Sequence, residues 1–401
     1  MNPSFEKSQL LSLLKKNDLP KYKINIDDLK NNLDEIHKKI IDENYDFLIT
    51  NNRNYFITND LGDILVLRKL YDNIKKIYKD EQANRNFIIN QIRILLSDTC
   101  KFWIIKTDIE KFYESINRKR ILEKFYNDGM LSYYSLFLIR KLFKNLDNNY
   151  KYKGIPRGIN ISSLLSEIYM RKFDEWIKRN EGVYYYARYV DDIIIFLDTY
   201  DNAKEILKKI NPELKKLAPG LKLNYLKTKL FDDGLKSYKL NSCKVINSNT
   251  LNHLGYSIRI KSNGNNNKDL SISLSLNKVK KIKSRIIKSF LAYSKNKNFK
   301  LLEKRIKFLT GNYVVRKNKN TELKAGIFYN YIYINELETF NKLNEFYYKV
   351  LFSKTKNFGD KIGLSPRQKS ILKKYNFISG FKNKKIIKLS YQEMKEITNC
   401  W

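Results

Sequence analysis

The stretch that decides the fold runs from Tyr184 to Phe196 and reads YYYARYVDDIIIF. Aromatic and β-branched residues dominate it, and such residues favour extended strands. Two adjacent acids, Asp191 and Asp192, interrupt the run. Two neighbouring charges in such a run predict a tight turn between two antiparallel strands. Because side chains alternate along a regular strand, only a turn brings both carboxylates near one site.

Two further blocks precede this hairpin. Residues 103–116, WIIKTDIEKFYESI, predict a strand that delivers Asp108, followed by the start of a helix. Residues 154–170, GIPRGINISSLLSEIYM, predict a glycine-flanked turn and then a helix. Taken singly, an acid after a strand is usually a helix cap and an acid pair is usually a solvated turn. The ordered combination instead predicts one site built from three carboxylates.

Three clustered aspartates suit one kind of chemistry. Mg²⁺ prefers oxygen ligands and keeps several waters, so two or three carboxylates suffice to hold it. Two such ions, about 3.5–4 Å apart, activate a hydroxyl and stabilise charge on a triphosphate. We therefore predict that Asp108, Asp191 and Asp192 bind two Mg²⁺ ions, and that the site catalyses the joining of nucleotides. The two histidines are too few for a histidine-centred site, and the three cysteines show no CxxC pairing.

The charge of the chain indicates a polyanionic partner. Its 401 residues include 78 Lys and Arg against 42 Asp and Glu, a formal net charge of +36. Nucleic acid neutralises such an excess most readily, and an anionic membrane surface is the alternative. Abundant Lys, Asn and Ile also fit an AT-rich genome, which accounts for part of the excess. No signal peptide or membrane-spanning run is evident, so we expect a cytoplasmic protein without a membrane partner.

Hydrophobic spacing divides the chain into three predicted regions. These are an N-terminal helical extension over 1–60, a mixed α and β region over 61–260, and a basic helical region over 261–401. The polar loop KSNGNNNK, residues 261–268, is the predicted boundary. Between residues 271 and 320, fifteen basic residues stand against one acid, Glu303, with apolar residues at helical spacing.

The three blocks resemble motifs A, B and C of reverse transcriptases, and Tyr189-Val190-Asp191-Asp192 matches the YxDD box. Residues 220–228 are similar to motif D, and residues 252–256 are similar to the primer grip. The resemblance covers about 62–260. It implies an α+β right-hand polymerase with fingers and palm over 61–260, in which an antiparallel palm sheet carries the YxDD hairpin. Residues 261–401 would be a helical, basic thumb and C-terminal region.

The resemblance also implies roles for single residues. Asp108 and Asp191 would be the principal metal ligands, with a lesser share for Asp192. Tyr113 would lie under the sugar and exclude a 2′-hydroxyl, although packing beside Phe112 also explains it. The remaining nucleotide-binding candidates are Arg157 and Gly158 in the turn, Lys227 as a proton donor or a solvated loop residue, and Arg85 and Arg93 as triphosphate ligands. The nucleic-acid-binding candidates are Lys281, Arg285 and Lys288.

Two segments narrow the resemblance further. LRKLYDNIKKIYKDEQANRN and PRGINISSLLSEIYMRKFDEW resemble the smaller enzyme of the two-polymerase, type 3 bacterial defence systems. This implies a non-coding RNA template, a DNA product, dNTP substrates, a second reverse transcriptase and a homo-oligomer. Two alternatives stay open. One is template-independent or protein-primed DNA synthesis at the same site, and the other is a non-catalytic, maturase-like RNA-binding factor.

Overall fold

A computed structural model describes residues 2–52, 55–80, 82–239, 242–246, 249–262, 268–317, 322–355 and 358–401. The helices are α1 (Lys7–Leu11), α2 (Asp18–Tyr22), α3 (Ile26–Ile41), α4 (Leu61–Tyr78), α5 (Arg85–Ser97), α6 (Phe112–Ser115), α7 (Arg118–Asp128), α8 (Tyr133–Tyr150), α9 (Asn160–Lys178), α10 (Tyr200–Leu217), α11 (Leu276–Asn296), α12 (Phe299–Thr310), α13 (Glu338–Leu351), α14 (Gly359–Ile362), α15 (Pro366–Lys373), α16 (Phe377–Lys382) and α17 (Tyr391–Thr398). The strands are β1 (Thr50–Asn52), β2 (Tyr55–Ile57), β3 (Trp103–Asp108), β4 (Val183–Tyr189), β5 (Asp192–Leu197), β6 (Lys229–Phe231), β7 (Ser237–Lys239), β8 (Ser242–Ile246), β9 (Leu251–His253), β10 (Tyr256–Ser262), β11 (Lys268–Leu274), β12 (Asn312–Lys317), β13 (Glu322–Gly326) and β14 (Ile386–Ile387).

The first of two compact units contains a six-stranded antiparallel sheet. This unit comprises Met1–Arg85, Cys100–Asp233 and Ser237–Ile246. The strand order is β4-β5-β3-β6-β7-β8, so β3 lies between the hairpin strand β5 and β6. Residues 193–197 of β5 are all buried, which means that both faces of this strand are covered. Helix α9 packs against β4, and α10 packs against β3 and β5.

The N-terminal residues pack onto the same unit. Helix α3 buries Leu29, Leu33, Ile36 and Ile40 at helical spacing, and its first turn is capped by the side chain of Asn25. Both α1 and α3 contact α4. The sequence predicts this region as helical, but residues 50–57 also contain the short hairpin β1–β2. The amide of Phe56 in β2 donates to the carbonyl oxygen of Arg157 at 2.7 Å, which ties this hairpin to the turn before α9.

The second unit comprises Asn86–Thr99, Gly234–Lys236 and Asn247–Trp401. It contains the antiparallel sheet β11-β10-β9 and the sheet β13-β12-β14, in which β14 runs parallel to β12. Helix α11 packs against α12 and α13. The region after residue 260 is therefore less purely helical than its basic, helix-periodic segment suggests.

The boundary expected at residues 261–268 lies inside a hairpin. Strands β10 and β11 pair from Tyr256↔Leu274 to Ser262↔Lys268, while residues 263–267 lie outside the described part of the chain. The compact units are accordingly divided near residue 246, and the segment 86–99 belongs to the second of them. Among the described helices, none has the length and apolar character needed to cross a membrane.

Candidate functional site

The acidic pair lies at a hairpin turn, as the sequence predicts. Tyr189 and Asp192 are opposite each other at the ends of β4 and β5, which leaves Val190 and Asp191 as a two-residue loop. Val190 has a φ of 61°, in the left-handed region that β-branched residues rarely adopt. Two-residue hairpin loops use positive φ because it matches the twist of the flanking strands. The turn therefore contains backbone strain of roughly 1–3 kcal/mol at the residue just before the acids.

Strand β3 brings the third acid to the same place. Asp108 is the direct register partner of Asp192 on the neighbouring strand. The amide of Ile109 donates to the carbonyl oxygen of Asp191 at 3.0 Å, and the amide of Asn224 donates to that of Asp108 at 2.7 Å. The three carboxylates predicted from separate blocks are thus brought together by backbone pairing.

The pKa values at this site are displaced by burial and by mutual repulsion. Burial raises the pKa of Asp191, and the neighbouring Asp108 raises it further. Burial also raises the pKa of Asp192, an effect that the ammonium of Lys106 opposes. A desolvated group of like charges is relieved by a cation, and hard carboxylate oxygens are the donors that Mg²⁺ prefers. The chemical type of these donors therefore suits magnesium.

Among the described residues, no group of three or more His, Cys, Asp or Glu side chains is arranged so that it could hold a metal ion. Instead, the Nζ of Lys227 lies 2.7 Å from Oδ2 of Asp108. This hydrogen bond raises the pKa of Lys227, so its ammonium is protonated at neutral pH. Lys227 is one of the predicted nucleotide-site residues; it lies on an exposed loop with its ammonium beside the Asp108 carboxylate, so both predictions for it, proton donor and solvated loop residue, are compatible with this position.

Sequence reasoning missed a second lysine at the site. Lys106 lies on β3 two residues before Asp108, so the two side chains emerge on the same face. Burial lowers the pKa of Lys106, and Asp192 and then Asp108 oppose this effect. The sequence could have predicted this lysine, because side chains alternate along a strand and Lys106 and Asp108 therefore lie on the same face of β3.

Tyr113 and Arg157 are in contact with each other. The guanidinium of Arg157 lies 5.5 Å from the centre of the Tyr113 ring, and its Nη2 donates to Glu114 at 3.1 Å. The Tyr113 ring also packs edge-on against Phe112 at 5.3 Å. Burial raises the pKa of Tyr113, with a smaller contribution from Asp191 among other groups. Both interpretations of Tyr113, packing and sugar contact, are compatible with this placement.

The structure requires glycine at position 158 for a reason other than the predicted approach of template or nucleotide. Its φ is 102°, and a Cβ on it would lie 2.6 Å from the carbonyl oxygen of Phe56. The close approach thus involves the chain's own β2, and contact with template or nucleotide stays a prediction. Arg85 is the first residue of α5, and its role as a triphosphate ligand stays a prediction. Arg93 lies over the ring of Tyr333 at 5.4 Å, within the second unit.

The three basic candidates of α11 differ in their surroundings. Lys281 and Lys288 are exposed. Arg285 is half-buried, and its guanidinium lies 4.9 Å from the centre of the Trp401 ring. Buried apolar side chains, including Ile286 and Phe290, occupy the opposite face of the helix. Two of the three residues are thus free to meet a polyanion, and the third also packs against the C-terminal tryptophan.

A buried ionic group next to the turn was also missed. Arg188, only 5% exposed, lies between Glu167 and Asp174 of α9. An arginine inside an otherwise apolar strand was the available signal, because a buried charge requires acidic partners. The sequence does not say where those partners are.

Residues 61–258 match the family model described as "Reverse transcriptase (RNA-dependent DNA polymerase)". No curated protein matches the chain. Similar solved structures include apo telomerase from Candida tropicalis truncated from the C-terminal domain, with 16% identity and a TM-score of 0.35 over 52% of this chain and 44% of that one. Another is telomerase from Candida albicans in complex with a TWJ fragment of telomeric RNA, with 13% identity and a TM-score of 0.35 over 55% and 41%. The chain spans less than half the length of each of these telomerases.

Proposed function

With residues 61–258 identified as the domain of an RNA-directed DNA polymerase, a nucleotidyltransferase, we propose that Asp108, Asp191 and Asp192 are its catalytic carboxylates. The observation that carries this proposal is the register of two strands. Asp108 is directly opposite Asp192 on the adjacent strand, and the Ile109 amide binds the Asp191 carbonyl oxygen. Two Mg²⁺ ions would be held by these three side chains, with Asp108 and Asp191 as the principal ligands.

The residues around the carboxylates supply the other parts of the reaction. When bound, the ions stabilise charge on the triphosphate and activate the primer hydroxyl. Lys227, whose ammonium is protonated at neutral pH, would donate its proton to the leaving pyrophosphate once the ions take its place beside Asp108. Tyr113 lies under the sugar of the incoming dNTP, and Arg157 fixes the tyrosine ring from one side.

The larger parts of the molecule have corresponding roles. The six-stranded sheet is the palm, α4 belongs to the fingers, and the helices within residues 1–60 are an N-terminal extension. The basic residues of α11 belong to the thumb, where Lys281, Arg285 and Lys288 bind the phosphate backbone of template and product. Contacts of this kind give sequence-independent affinity that falls as salt rises.

The template we propose is a bound non-coding RNA, copied into DNA as part of bacterial antiviral defence. Support comes from the two sequence segments, in α4–α5 and around α9, that resemble the smaller enzyme of two-polymerase defence systems. A second reverse transcriptase and further copies of this chain are the corresponding protein partners, in the cytoplasm.

The test is to purify the protein with its bound nucleic acid, add Mg²⁺ and labelled dNTPs, and sequence the product. The inactive variant is Asp191→Asn, and its matched control is Asp201→Asn, which changes an exposed acid in the first turn of α10. We expect DNA complementary to a co-purifying small RNA from the wild type and from Asp201→Asn, and none from Asp191→Asn.

The other outcomes separate the alternatives. Product whose sequence ignores the bound and added RNA indicates template-independent or protein-primed synthesis at the same carboxylates. No incorporation under varied metal and primer conditions, together with phage defence that survives Asp191→Asn, indicates a non-catalytic RNA-binding factor. Synthesis that persists in Asp191→Asn overturns the assignment of the carboxylates.

A further inference from the structure

The guanidinium of Arg188 uses all five of its N–H donors. Nε and Nη2 donate to the two carboxylate oxygens of Asp174 at 2.8 and 2.6 Å. Nη2 and Nη1 donate to the two oxygens of Glu167 at 2.7 and 3.3 Å. The remaining donor, on Nη1, reaches the carbonyl oxygen of Val190 at 3.1 Å. Two forked ion pairs and one backbone hydrogen bond thus satisfy a group that is only 5% exposed.

The fifth hydrogen bond connects this ionic group to the turn that carries the acids. Val190 is the first residue of the two-residue loop and has a φ of 61°. A strained conformation of this kind persists only where the surroundings over-determine it. Arg188 fixes the carbonyl group of the strained residue, and the next two residues are Asp191 and Asp192.

The acidic partners of Arg188 lie on one face of α9. Glu167 and Asp174 are seven residues apart, which is two helical turns, so both point the same way. The hydroxyl of Tyr186, two residues before Arg188 on β4, also donates to Asp174 at 2.5 Å. Two residues of β4 thus bind the same carboxylate of α9.

Stability alone does not explain this arrangement. Replacing a buried ionic triad by well-packed apolar residues is often neutral or stabilising, so such a group contributes little that a simpler core could not. A buried guanidinium needs an acceptor for each N–H, and the Val190 carbonyl oxygen meets that need for the fifth donor. What bears on the site is the position of this acceptor, because it lies on the strained turn and the same hydrogen bond connects that turn to the acids of α9.

We propose that Arg188 is a positioning residue, which holds the strained Val190 turn against α9 and so fixes Asp191 and Asp192 in register with Asp108. This inference rests on the proposed function of those aspartates. Arg188 touches none of the reacting groups and acts only through the backbone of the turn.

The variant Arg188→Lys tests the proposal because it keeps the positive charge and removes the planar fork of donors. Its matched control is Arg68→Met, which removes another largely buried arginine paired with an acid, Asp18, in the same unit. A second variant, Glu167→Gln, weakens the forked ion pair with Arg188, while the carboxylate of Asp174 still balances the charge of the guanidinium. Three readouts apply: kcat and KM for dNTP, the Mg²⁺ concentration at half-maximal rate, and hydrogen exchange of the peptide 184–196.

We expect Arg188→Lys to melt close to the wild type, to lose roughly 10- to 100-fold in kcat, and to require more Mg²⁺ at half-maximal rate. KM for dNTP stays within about twofold, since uniform substrate binding is unchanged. Exchange in residues 184–196 becomes faster. Glu167→Gln shows the same pattern to a smaller degree. Arg68→Met lowers the melting temperature and leaves the Mg²⁺ requirement and the exchange of the hairpin unchanged.

A wild-type kcat and Mg²⁺ requirement in Arg188→Lys overturn the proposal. So does a loss of activity that follows the melting temperature in all three variants, because that pattern indicates a structural role. If the wild type itself makes no product, the proposed function fails. The positioning role is then tested by two measurements that need no product, hydrogen exchange and Mn²⁺ titration followed by electron paramagnetic resonance. Faster exchange of residues 184–196 and weaker Mn²⁺ binding in Arg188→Lys support the positioning role. Unchanged exchange and unchanged Mn²⁺ binding refute it.

Discussion

The ammonium group of Lys227 lies 2.7 Å from a carboxylate oxygen of Asp108, the same side chain that is directly opposite Asp192 on the neighbouring strand. In this state a protonated lysine neutralises one acid of the site. If Asp108 binds a divalent cation, as we propose, that cation would compete with this ammonium for the same oxygens. The lysine and the metal would then each weaken the binding of the other.

The first prediction follows from this competition. Lys227→Met removes the competing charge, so Mn²⁺ should bind the free protein more tightly, while kcat should fall about 10²-fold or more through loss of the proton donor. Mn²⁺ titration by electron paramagnetic resonance and single-turnover kinetics measure the two effects. Lys222→Met, which removes a lysine paired with Glu110, is the control and should change neither. Weaker Mn²⁺ binding by Lys227→Met would contradict the competition.

Tyr113 provides the second prediction. If its ring excludes the 2′-hydroxyl, Tyr113→Val opens space and should raise incorporation of ribonucleotides relative to deoxyribonucleotides by roughly 10- to 100-fold. Competition assays with mixed nucleotides measure the ratio. Tyr113→Phe keeps the ring and should stay selective for dNTPs. An unchanged ratio in Tyr113→Val would mean that the residue serves mainly to pack against Phe112 and Arg157.

The third prediction concerns the strained turn. Val190→Gly relieves the positive φ, worth roughly 1–3 kcal/mol, and loses about 0.5–1 kcal/mol through the greater freedom of glycine in the unfolded chain. Relief of the strain offsets the lost packing of this partly buried valine, so the free energy of unfolding measured by urea denaturation should change by less than about 1 kcal/mol. Val183→Gly, made at the start of β4, loses another partly buried valine without relieving a positive φ and should lower the free energy of unfolding more. An equal loss in the two variants would show that the turn is not strained.

The fourth prediction is a pH dependence of stability at Asp18. Burial acts to raise the pKa of this carboxyl, but hydrogen bonds from Arg68 and from the Lys15 amide outweigh it and the pKa is lowered. A lowered pKa in the folded state gives stability that is present above the ordinary value of 3.8 and is lost as the pH falls through the lowered pKa. Asp18→Asn should cost about 3 kcal/mol at pH 7 because it leaves Arg68 largely buried without its acid.

Urea unfolding at a series of pH values between 7 and about 3 tests this dependence. The difference in the free energy of unfolding between the wild type and Asp18→Asn should be constant near neutral pH. It should become smaller at the lowest pH values, where the wild-type carboxyl takes up its proton. Asp34→Asn is the control, since Asp34 pairs with Lys7 on the surface and should contribute less than about 1 kcal/mol at any pH. If this difference in the free energy of unfolding grew as the pH fell, the pKa of Asp18 would not be lowered in the folded protein.

Local patterns in the sequence were sufficient for the hairpin turn and for α9. A run of aromatic and β-branched residues interrupted by a pair of charges marks the turn at Val190 and Asp191, and the glycine-flanked turn of residues 154–158 marks the start of α9. These features depend on residues close together in the chain, so local patterns are enough to predict them. The proximity of Asp108 to the turn came from the order of the three blocks, and the strand register agrees with it.

Local periodicity could not predict contacts between residues that are far apart in the sequence. The hairpin β1–β2 is too short to leave a periodic signal, and its role appears only through Phe56 and Gly158. The partners of Arg188 lie 14 and 21 residues away on a helix, so no local pattern identifies them. Arg93 and the segment around it belong to the second unit, whereas the sequence predicts one region, 61–260, that contains both this segment and α4.

That assignment of α5 has a consequence for synthesis on the ribosome. Four apolar side chains of this helix, Ile88, Ile89, Ile92 and Leu96, are buried in the folded chain. The rest of the unit to which most of the helix belongs begins at residue 234 and continues from residue 247 to residue 401. At ordinary rates of translation these partners emerge on the order of ten seconds after α5. During that interval the nascent chain carries an uncovered apolar helix, and this is the stage at which a chaperone would have most to bind.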